Sequence, residues 1–185
     1  MPASPSTTVE LGRLGRPPRH DGDLRGRLLY LPTAEAIVVP QCQQAHGWWC
    51  AVLARRSRSR HPGHLVVKDD DIAAAASVLT VDPDGDPDGY AMLWQARVWQ
   101  RWPGGHAPQL ARLLAQRLRG AGTLIVNIDP AAARQLVLGA HLRAPRLRIL
   151  LDRLVDAGLI TPTLPGDPAG RTLFRLTLPA PLSSI

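Results

Sequence analysis

From residue 108 onward, apolar residues recur at helical spacing, break, cluster briefly, and then recur at helical spacing twice more. "APQLARLLAQRLRG" places Leu110, Leu113, Leu114 and Leu118 on one face, with Pro108 in the first turn and Gly120 as the stop. "TLIVNI" predicts a short strand. Asp129 then predicts a helix N-cap, with Pro130 at the first position of "DPAAARQLVL". After the turn "GAHLR", the stretch "APRLRILLDRLVDAG" predicts a last helix closed by Gly158. "LITPTL" and "RTLFRLTL" predict two strands around the turn "PGDPAG".

Upstream the pattern is shorter-ranged. "RLLYL", "AIVVP" and "LVV" predict strands, and the β-prone residues of "GWWCAVLARR" favour a strand over a helix. "DDDIAAAASVL" starts as a helix, its acids near the positive end of the helix dipole. Residues 27–81 are therefore expected to form a small α+β region, and the non-periodic, Pro/Gly/Ser/Arg-rich residues 1–26 a flexible arm. "DPDGDPDG" predicts an acidic linker over 82–89. "YAMLWQARVWQRW", with Met92, Trp94, Val98, Trp99 and Trp102 near helical spacing, predicts a connecting helix over 90–105. Its apolar excess is expected to be exposed and to form a homodimer contact. Residues 106–179 then make a C-terminal domain and 180–185 a tail. The fold class is α+β.

Charge narrows the partners. The formal net charge is +7, and Lys68 is the only lysine. Arginine, alanine, glycine and proline share GC-rich codons, so the arginine count alone says little; a basic surface still attracts polyanions. No apolar run approaches membrane-spanning length, the start lacks the apolar core of a signal peptide, and two cysteines make no disulfide framework. A cytoplasmic protein is expected. No P-loop, dinucleotide fingerprint, nucleophile elbow or H-E-x-x-H pattern occurs, and no enzyme activity is expected.

The order helix, strand, helix, helix, strand, turn, strand over 108–178 resembles winged helix-turn-helix DNA-binding proteins, most closely the MarR-like bacterial regulators. "LLDRLVDAGLI" is similar to the end of that family's recognition helix and its first wing strand. The resemblance implies a dimeric transcriptional regulator on double-stranded DNA, its recognition helix in the major groove and its half-sites about one helical turn apart. Helical spacing independently buries Leu147, Leu150, Leu151 and Leu154, which turns Arg146, Arg148, Ile149 and Arg153 outward. Arg143, Arg146 and Arg148, at the start of that helix, are the candidates for the groove. Arg134, Arg171 and Arg175 are the candidates for backbone phosphate. The chain departs from the family at His141, where many members have a turn glycine, and at Arg143, the usual Ser/Thr cap position. The wing also carries Asp167 near its tip.

Other chemistries have partial signatures. Asp84, Asp86, Asp88 and Gly89 fit positions 1, 3, 5 and 6 of a calcium loop, but Gln95 stands where the bidentate glutamate belongs. Cys42, His46 and Cys50, with His61 and His64 downstream, are zinc-competent types at a spacing that matches no common zinc site. "RRSRSR" is a phosphate-binding loop or a solvated one. No metal and no cofactor is expected. The alternatives to a DNA-binding regulator are a winged-helix adaptor in a replication or DNA-transfer assembly and a metal-responsive sensor.

Overall fold

A computed structural model describes residues 24–56, 63–77, 80–163 and 172–179. The chain is α+β: the described residues form five α-helices, an N-terminal antiparallel sheet and a small C-terminal sheet. The first sheet contains β1 (Leu29–Leu31), β2 (Ala36–Gln44), β3 (Gly47–Arg55), β4 (His64–Val67) and β5 (Ala76–Ser77). Its order is β4-β3-β2-β1-β5. α1 (Asp69–Ala74) precedes β5, and α2 (Pro87–Arg101) leads into the C-terminal part.

Strand periodicity explains why nearly the whole centre of this sheet is apolar. Leu29, Leu31, Val38, Cys50 and Val52 point to one side, where they share a core with Trp48, Val67 and Ile72 of α1. Their alternates, Tyr30, Ile37, Val39, Ala51 and Leu53, point to the other side and join the main core. Covering both faces turns an alternating pattern into a continuous apolar run.

The second part runs α3 (Ala107–Leu118), β6 (Ile125–Ile128), α4 (Pro130–Gly139), α5 (Ala144–Asp156), β7 (Ile160–Pro162) and β8 (Thr172–Leu176). β8 pairs antiparallel with β6 on one side and β7 on the other. The order helix, strand, helix, helix, strand, strand is the one expected for residues 108–178. The expected caps are in place: Asp129 Oδ1 accepts from the Ala132 amide at 2.7 Å. α5 ends with Gly158 at φ 67°, its N–H bonding Val155 O and the next N–H bonding Leu154 O. α4 ends in the same motif, with His141 at φ 52° in the left-handed position. The His141 N–H reaches Leu138 O and the Leu142 N–H reaches Val137 O. Thus His141 does occupy the glycine conformation of the turn, a geometry that is strained for a side-chain-bearing residue.

Two expectations change. α2 begins at Pro87, inside the stretch expected as a linker, and Asp86 is its N-cap, accepting from the Gly89 amide at 2.9 Å. The same carboxylate pairs with Arg56 at the end of β3, 3.1 Å away. The segment 82–89 is therefore a joint rather than a spacer, and the main core continues across it. Asp86→Ala should lose about 1–3 kcal/mol of stability in urea unfolding, because it removes a cap and strands a partly buried guanidinium. Asp86→Asn should lose less, and an unchanged midpoint for both would contradict the joint.

The second change concerns the dimer contact. Met92, Leu93, Trp94, Ala96 and Val98 are buried within the single chain, and Trp99 and Trp102 pack partly against the same core. α2 lies between β3 on one side and α3 on the other. It therefore presents no exposed apolar face to a second copy. Sequence spacing reported that these residues are apolar and helical, but not what covers them.

Candidate nucleic-acid interface

α5 displays the arginines. Leu147, Leu150 and Leu154 anchor its inner face, each at most 5% exposed. Arg143 is the N-cap residue in extended backbone, and its side chain makes no cap hydrogen bond. Arg143, Arg146, Arg148 and Arg153 are all exposed. None has an acidic partner within ion-pair distance among the described residues. Pro145 occupies the first turn, where its missing N–H costs nothing. Arg143, Arg146 and Arg148 gather at the N-terminal end of α5, where the dipole also favours anions, and Arg153 lies in its last turn.

Arg134 is exposed on α4. Arg175 behaves differently. It lies on β8 opposite Ile125 and Thr161, on the outer face of the small sheet, with a loose contact to Asp84 at 3.9 Å. The structure thus sets Arg175 against the acidic joint and does not bring it together with the α5 arginines. Arg171 and Asp167 lie outside the described residues, as do Arg58 and Arg60 of the "RRSRSR" segment and His61.

The fold gathers two residues with α5 that sequence order gave no reason to connect. Trp102 and His106 line one pocket together with Arg146, Leu150 and Arg153. Arg101 lies over the Trp102 ring, 5.4 Å from its centroid. His106 Nδ1 is 3.1 Å from Ala140 O, which joins the start of α3 to the helix-turn-helix turn. The positive surface of α5 therefore continues onto the α2–α3 connection. Arg117 on α3 donates to Gln135 Oε1 on α4 at 2.5 Å, fixing the supporting helix.

The metal-competent residues sit elsewhere. Cys42 and Cys50 are on the paired strands β2 and β3, Cys42 exposed and Cys50 buried, while His46 is in the hairpin turn. His64 stacks on Trp49 at 4.9 Å. Among the described residues, no three of His, Cys, Asp or Glu come together to hold a metal. The aspartates of the joint also diverge: Asp86 caps α2, and Asp88 Oδ1 accepts from the Gly120 amide at 2.9 Å. Burial, with nearby Cys42 adding to it, pushes the Cys50 thiol up to about 11. A native-state titration with an aromatic disulfide reagent at pH 8 should therefore count one fast thiol, Cys42, and a second only on unfolding. Two fast thiols would contradict the buried placement.

Among the described residues, no helix is long and apolar enough to cross a membrane. Comparison with known protein families, with curated proteins and with solved structures returns no match.

Proposed function

We propose that the chain binds double-stranded DNA through its C-terminal winged helix-turn-helix and acts as a transcriptional regulator. The observation that carries this reading is the exposed arginine set Arg143, Arg146, Arg148 and Arg153 on α5, which has no acidic partner within ion-pair distance among the described residues. Such a helix suits the major groove, where arginine holds guanine by paired hydrogen bonds or neutralises phosphate. Arg101, Arg134 and His106 supply backbone contacts beside it. Palindromic sites would need a second copy joined through a surface other than α2.

One observation favours the adaptor reading: Leu138, on the exposed side of α4, is 74% exposed. Selection from a random duplex pool separates the two. A regulator enriches a short motif over successive rounds, whereas an adaptor retains no duplex above background.

A further inference from the structure

The exposed face of α5 is not all arginine. At 3.6 residues per turn each step is about 100°, so Ile149 stands about 160° from Leu147, about 100° from Leu150 and about 140° from Leu154, on the exposed half of the helix. Arg146 and Arg153 fall on one flank of it and Arg148 on the other, again at about 100° per residue. Ile149 is 44% exposed, a β-branched apolar side chain in the middle of a charged surface. Further along the same ridge come Asp152 and Asp156, both exposed. Carboxylates there repel phosphate, so the end of α5 that faces DNA is its first half, from Arg143 to Ile149. That half carries one large exposed apolar side chain, Ile149, among its arginines.

A duplex offers one apolar group at the floor of the major groove, the 5-methyl of thymine. We infer that Ile149 is a specificity residue that takes a thymine methyl, while Arg146 and Arg148 on its flanks hold neighbouring guanines or phosphates. The inference rests on the DNA-binding reading above. It adds a base preference that the arginines alone do not give, because arginine does not recognise thymine. Contact with the methyl covers apolar surface on both partners, and a methyl-sized group is worth about fourfold in affinity.

The test uses the full chain and the duplex selected from the random pool. Each thymine is replaced in turn by deoxyuridine, which removes only the methyl. For the wild-type chain, one position per half-site should weaken binding about fourfold. Ile149→Ala should bind the thymine and deoxyuridine duplexes equally at that position, with an unchanged circular dichroism spectrum. The inference is overturned, with DNA binding intact, by a selected motif that lacks thymine. It is equally overturned if no thymine responds, or if the methyl effect persists in Ile149→Ala. Failure to bind any duplex overturns both readings.

Discussion

Trp94→Ala should destabilise the fold by about 3–5 kcal/mol, the range for removing a large aromatic side chain from a core. Trp94 is 0% exposed, and its indole N–H donates to Leu159 O at 2.5 Å. That carbonyl follows Gly158 and precedes β7, so α2 holds the point where α5 ends and the wing begins. The variant loses the ring and leaves a buried acceptor without its donor. In a thermal scan the midpoint should fall by roughly 10 °C, since each kcal/mol is worth about 2–4 °C at this size. Trp94→Phe keeps most of the volume and loses only the donor, so its cost should be about 1–3 kcal/mol. Equal midpoints for wild type and Trp94→Ala would mean that α2 does not join the sheet to the winged helix.

The second large effect is on binding. Arg146→Ala combined with Arg148→Ala should weaken binding to the selected duplex by about 2–6 kcal/mol, thirtyfold or more, at about 1–3 kcal/mol per well-placed arginine. Both side chains are exposed, so the unfolding midpoint should shift by less than about 0.5 kcal/mol. Arg175→Ala is the control for each single α5 substitution. It also removes one arginine, but from the outer sheet face beside Asp84, and should leave affinity nearly unchanged. Equal losses for Arg175→Ala, Arg146→Ala and Arg148→Ala would indicate a diffuse charge effect rather than an interface.

Much of the C-terminal half was legible because each element carries its own punctuation. Asp129 and Pro130 open α4, and Gly158 closes α5, through contacts within a few residues. The leucines of α5 needed only helical spacing to be placed inward. His141 departs from the glycine pattern in sequence while keeping its backbone geometry, because the turn demands a left-handed residue whatever its side chain. In the N-terminal half the strands could be read from their β-prone runs, but their order could not, since pairing is set by contacts distant in sequence.

The misreadings share one cause. The tryptophans of α2 look the same in sequence whether a sheet of the same chain or a second molecule covers them. Asp86 sits in an Asp-Pro/Asp-Gly repeat that has the composition of a loop, and only Arg56, far upstream, shows that it is a joint. The candidate interface divides similarly. Arg143, Arg146, Arg148 and Arg153 follow from one helix's periodicity. The addition of Arg101 and His106, and the separation of Arg175, depend on how distant segments fold together.

Fluorescence anisotropy of a labelled duplex, titrated with the full chain across a salt series, decides whether α5 binds DNA. Binding should be tight at low salt and weaken steeply and log-linearly as salt rises, because each neutralised phosphate releases a counterion. The Arg146/Arg148 double alanine variant should give a displaced, weaker curve. No binding at low salt, or superimposable curves for the two chains, would contradict DNA binding by α5.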